Sequence, residues 1–136
     1  MVREIIRDQF FLRMPARKAG AGDGPIADDL LDTLRANADR CVGMAANMIG
    51  ENVAVIAFSD GGRYVEMFNP VIVRRDAPYD AEEGCLSLDG TRPVRRYKSI
   101  KVQWQTRDMK PRAKSFSGFT AQIIQHETDH LAGVVI

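Results

Sequence analysis

GFTAQIIQHETDHLAGVVI, residues 118–136, holds the only two histidines of the chain, four residues apart around a glutamate. Phe119, Ile123, His126 and His130 follow one another at offsets of four, three and four, the period of a helix with one inner face. Ser117 or Thr120 suits the start of that helix and Gly133 its end. Residues four apart stand one turn above each other, so His126 and His130 aim two imidazoles at one point, with Glu127 one position round. This is an arrangement for metal-assisted hydrolysis. The ion lowers the pKa of water from 15.7 towards about 7, and the carboxylate takes the proton. The plainer reading is a surface helix with two solvated histidines, which the specificity of the five-residue motif disfavours. Asp129 reads as a solvated residue or an acceptor behind a ligand.

A catalytic centre usually takes three protein ligands, and no further histidine remains. The candidates are carboxylates or a thiolate, Cys85 or Cys41. Cys85 lies in EEGCLSLDG, residues 82–90, where glycine and serine predict irregular backbone between strands. On composition alone it is either a soft ligand facing the closing helix or an inert buried cysteine.

Outward from these segments, residues 25–38 predict an amphipathic helix: Pro25 opens it, Ile26, Leu30, Leu31 and Leu34 fall at helical spacing, and arginines come late. Residues 52–118 change to short β-rich runs: VAVIAF, a Ser59-Asp60-Gly61-Gly62 turn, RYVEMF, an Asn69-Pro70 break, VIVRR and the alternating SIKVQWQ. The expected fold is α+β, a single domain over residues 1–136 with antiparallel β-sheets packed around the C-terminal helix and one N-terminal helix. A formal charge of +1 argues against a dedicated nucleic-acid binder. No apolar run suits a membrane span or signal peptide, and two cysteines cannot build a disulfide framework, so a cytoplasmic location is expected.

Three ordered segments resemble the motifs of the peptide deformylases, G-x-G-x-A-A-x-Q, E-G-C-L-S and H-E-x-x-H: CVGMAANM at 41–48, EGCLS at 83–87 and HETDH at 126–130. The resemblance implies that Cys85, His126 and His130 hold one divalent metal ion and that Glu127 is the general acid/base. It implies further that the Leu86 N–H binds the developing oxyanion and that Arg92 supports the site. Ferrous iron is the ion expected in vivo, with zinc, nickel or cobalt able to replace it. The implied substrates are N-formylmethionyl nascent peptides, bound near Val42, Gly43, Met48, Leu86 and Ile123, with transient ribosome contact and no specific nucleic acid. The chain ends six residues after His130, shorter than many deformylases, which predicts that ribosome contacts of a longer tail are absent. The basic run from Arg92 to Lys101 reads first as a solvated strand edge.

Two positions depart from the motif. Cys41 stands for its first glycine and Met48 for its glutamine, whose amide donates to the oxyanion in the family. A thioether donates nothing, which predicts slow or weak deformylation, an altered substrate, or a metal kept for structure alone. Asn47 carries an amide next door, but adjacent side chains point in different directions. Met44, Met48 and Cys41 have the simpler reading of core residues.

Overall fold

The computed structural model describes residues 1–134. A single helical turn, α1 (Gln9–Leu12), capped by Asp8, precedes α2 (Gly24–Ala36). Strand β1 (Gly43–Ala45), a 3-10 turn (Ala46–Ile49), β2 (Val55–Asp60), β3 (Arg63–Cys85), β4 (Leu88–Gln105) and β5 (Pro111–Ser117) follow, and α3 (Gly118–Leu131) closes the described chain. The strands form one antiparallel sheet in the order β1-β2-β3-β4-β5, a meander where several sheets were expected. The class is α+β.

The continuous apolar run of β2 is explained by cover on both faces. Val55 and Ala57 join Leu30, Leu34, Met44, Met48 and Phe68 beneath α2. Ile56 and Phe58 point the other way, to Met67, Ile100, Val102, Phe116 and Ile124 against α3. A period of two thus feeds two cores from one strand. Helix α2 stops at Ala36, short of the expected 38, because the Asn37 side chain donates to the Thr33 carbonyl at 2.8 Å and closes the last turn.

Three expectations are corrected here. The Asn69-Pro70 pair bends β3 without ending it. The ladder shifts register between Phe68 and Val71, and Asn69 (φ 53°) donates to the Ala19 carbonyl at 3.0 Å and to Gln105 at 2.7 Å. Proline has no N–H to give a ladder, and a bulge tolerates that. Next, the segment read as irregular, residues 82–90, is the end of a long hairpin: β3 runs to Cys85, Leu86 and Ser87 make the turn, and β4 begins at Leu88. Last, Phe119 is 63% exposed and lies off the inner face of α3, whose first turn buries Ala121 instead.

The far half of the β3–β4 hairpin, Ala77–Cys85 with Leu88–Lys98, pairs on one side only, since β5 reaches back only to Ser99. From Arg92 on, Pro93, Arg95, Lys98 and Ser99 are exposed, Arg92, Val94 and Tyr97 are half-buried, and Arg96 is 4% exposed, so the solvated edge expected of this run holds for only half of it. The last turn of α3 is fastened to the N-terminal region: the Ala16 N–H donates to the Leu131 carbonyl at 2.8 Å. Gly133 (φ 81°) packs so closely on Arg13 that a Cβ there would run into the Arg13 carbonyl. No helix among the described residues is long and apolar enough to cross a membrane.

Candidate metal centre

Helical periodicity stacks His126 and His130 on the buried side of α3, where their Nε2 atoms approach to 3.2 Å. Cys85, at the end of β3, brings its sulfur to the same place: the ligand atoms of Cys85, His126 and His130 all lie within 4.8 Å of one another. On His126, Nδ1 meets Glu83 Oε1 at 2.7 Å. With a proton on Nδ1 for that bond, Nε2 offers a lone pair. Nε2 of His130 stands 3.2 Å away, so a proton or a cation between the two nitrogens would satisfy both. A thiolate and two imidazoles are the donors of borderline-soft divalent metals, so the residues fit such an ion.

Behind the trio stands a second layer. Glu83 takes two bonds from Arg96, from Nε at 2.9 Å and Nη2 at 2.7 Å, and one from Gln122 at 2.9 Å. Arg96 also reaches Asp129 with Nη1, at 2.7 Å, and so ties β4 to α3. Burial would raise the Glu83 carboxyl, but the bonds from His126, Arg96 and Gln122 outweigh it and hold the group at about 2. The histidines are driven apart. Burial, then the charge of His126, push His130 down to about 3. Burial also pushes His126 down, yet hydrogen bonding to Cys85 and Glu83 carries it up to about 10. A metal replaces the proton on such a ring, so its binding releases protons.

Glu127 is 4% exposed, and burial pushes its carboxyl up to about 7. Its Oε1 has no protein partner. It borders a cavity of about 460 Å³ together with Cys85 and His126. Val42, Gly43, Met48, Leu86 and Ile123 border the same cavity, and Phe119 also lines it. Gly43 touches both sides of the site: a Cβ there would sit 2.5 Å from Ile123 Cγ2 and 3.0 Å from Glu127 Oε2. Gly43→Ala is therefore expected to displace the carboxylate and to destabilise the fold by about 1–3 kcal/mol, the usual range for overpacking. Thermal unfolding and activity measured together check this; an unchanged melting temperature with full activity would contradict it.

Arg92 does not border the cavity. Its guanidinium donates to the Asp89 carbonyl at 3.4 Å, and the buried arginine of the site is Arg96, four residues on. Glu83, Arg96 and Gln122 escaped the reading of the sequence, although a partner for the second nitrogen of a ligating histidine is a standing requirement. Asn47 does not take the place of the motif glutamine: it lies outside the cavity lining and donates to the His130 carbonyl at 2.9 Å. Met48 is 1% exposed, packed in the core while also bordering the cavity. Cys41 stays outside the ligand trio. Its thiol donates to the Gly43 carbonyl at 2.9 Å, and burial, then the charge of Glu127, push it up to about 12.

The strand-hairpin and helix frame has counterparts. The sequence profile described as "Polypeptide deformylase" matches residues 8–136. The chain belongs to the polypeptide deformylase family. It is 46% identical to a peptide deformylase of Clostridium beijerinckii over 136 residues, the full length of both. Among deformylase crystal structures, that from Thermus thermophilus superposes with a TM-score of 0.88 at 31% identity, covering 99% of this chain and 83% of the other. A class I type b peptide deformylase from Acinetobacter baumannii, with Met-Ala-Ser bound, gives a TM-score of 0.89 at 27% identity, covering 99% and 97%. The deformylases are metal-dependent hydrolases that use a divalent ion, and the fold described above is theirs.

Proposed function

We propose that this chain hydrolyses the formamide bond of N-formylmethionyl peptides, releasing formate and a free amino terminus. The observation that carries the reading is the convergence of Cys85, His126 and His130, with Cys85 and His126 bordering the same cavity as a buried carboxyl, Glu127. In this reading the trio holds the metal and Glu127 moves the proton. A bound divalent metal supplies Lewis acidity towards the formyl carbonyl and lowers the pKa of water.

The residues of the chain do the rest. Glu127 takes a proton from the attacking water and gives it to the departing amine, so the C–N bond breaks to formic acid and a neutral amine, and the acid then loses its remaining proton to solvent as formate. A carboxyl near 7 suits both directions of that transfer. The Leu86 N–H is assigned to the oxyanion, and Val42, Leu86 and Ile123 to the methionine side chain. Met-Ala-Ser in the Acinetobacter relative, a peptide beginning with methionine, supports that choice of substrate. The physiological ion is assigned as ferrous iron, in the cytoplasm, with nascent peptides as partners and a transient ribosome contact.

Met48 is the weak point of this centre. Loss of one oxyanion donor typically costs about 2.7–4 kcal/mol, or roughly 10²–10³ in turnover. With Asn47 engaged elsewhere, this cavity has no amide at that position. Met48→Gln is expected to raise formate release from a formyl-Met-Ala peptide by up to about 10², measured anaerobically with ferrous iron. If neither form releases formate with metal bound, deformylation is not the activity.

A further inference from the structure

His130 occupies an awkward place for a ligand. Helix α3 ends at Leu131, one residue later, and the last turn of a helix is where carbonyls lack intrahelical partners and the backbone frays. An imidazole that must meet His126 Nε2 and the Cys85 sulfur needs that turn held still. Asn47 supplies one of the restraints. Fully buried in the 3-10 turn after β1, it donates its amide across 83 residues of sequence to the His130 carbonyl, at 2.9 Å. That carbonyl also accepts from the Gly133 N–H at 3.0 Å, and Leu131 accepts from Ala16.

Asn47 does this at a cost. Its Oδ1 has no protein partner, so half of a buried amide is unsatisfied. An aliphatic side chain of the same shape would remove that penalty, and the donor on His130 is what the amide offers in return. The placement also has a consequence for the site. The next residue, Met48, borders the cavity, so one short turn forms a wall of the substrate space and fastens a ligand-bearing helix.

We propose that Asn47 is a positioning residue of the metal centre, holding the final turn of α3 so that His130 stays on the point where Cys85 and His126 converge. This rests on the metal reading above. The test compares native protein, Asn47→Leu and Asn47→Asp, both close in shape to asparagine, for zinc release to excess EDTA and for the visible absorption of the cobalt(II)-loaded forms. Folding is followed by circular dichroism. Release about 10- to 100-fold faster with a shifted cobalt spectrum, in a variant whose unfolding midpoint is at or above that of native protein, is the expected result. A structural role alone would move the midpoint and leave release and spectrum unchanged. Asn47→Asp gives the same comparison should Asn47→Leu fail to fold. If native protein retains zinc and the folded variants release it at the native rate, the assignment of Asn47 is overturned and the metal reading stands. If native protein retains none, both fall.

Discussion

Glu127→Gln is expected to lower turnover by about 10³-fold while leaving the metal content of the protein unchanged, because general acid–base catalysis is worth roughly 10²–10⁴. The substitution keeps the shape and removes only the proton carrier. Glu127 is not among the three converging donors, so nothing in metal retention depends on it. Its carboxyl is 4% exposed and raised by burial to about 7, which means the fold holds an acid where a neutral amide would be easier to bury. Stability should therefore hold or rise as activity falls. Formate release, metal analysis and thermal unfolding on one preparation separate the possibilities. Full activity in Glu127→Gln would remove this carboxyl from the mechanism, and lost metal would make it a ligand.

Arg96→Met should be the most damaging substitution for the fold itself. Arg96 and Glu83 pair with side chains 5% and 7% exposed, and Arg96 Nη1 also binds Asp129. Removing one partner of a buried pair leaves the other charged and uncompensated, at about 3–5 kcal/mol. The loss also frees the link between β4 and α3 and loosens the acceptor on His126, so metal affinity should fall with stability. The sign of the pH dependence follows from Glu83. Its folded value, about 2, lies below the ordinary 4.5, so its contribution is fully present above about 5. It is lost as pH falls from there through about 2. The difference between native protein and Arg96→Met should accordingly narrow on acidification from pH 7 to pH 3, in denaturant titrations at each pH. A gap that widens in acid would mean that Glu83 is not the group Arg96 sustains.

The convergence of Cys85, His126 and His130 with Glu127 beside them was legible because each sits in a local pattern: two histidines at helical spacing, a cysteine in a short motif, a glutamate one position round. VAVIAF was likewise legible as a strand from its β-rich run, though its burial on both faces needed the two helices to be seen in place. What stayed hidden depends on distant partners. Arg96 stands among Arg92, Arg95 and Lys98 and reads as one more solvated cation until α3 covers it and Glu83 comes opposite, 13 residues away. Asn69 looked like a strand breaker, since nothing local reveals that its amide is spoken for by Ala19, 50 residues earlier. Asn47 has a task that its position in the motif does not reveal. Its neighbour Met48 suggested the cavity, whereas its partner is a carbonyl 83 residues further on.

The sequential order of the sheet bears on how the protein comes into being. Each strand pairs with the next one in the chain, so the meander closes short loops and can form early at little entropic cost. The metal centre is assembled otherwise. Cys85 belongs to that meander, while both histidines arrive on the helix that follows it, 43 residues beyond Glu83 in the case of His126. If the trio holds the metal as proposed, an ion offered to a growing chain would meet a lone cysteine first and the complete set of donors only once α3 has docked, so that metallation would mark the final stage of folding.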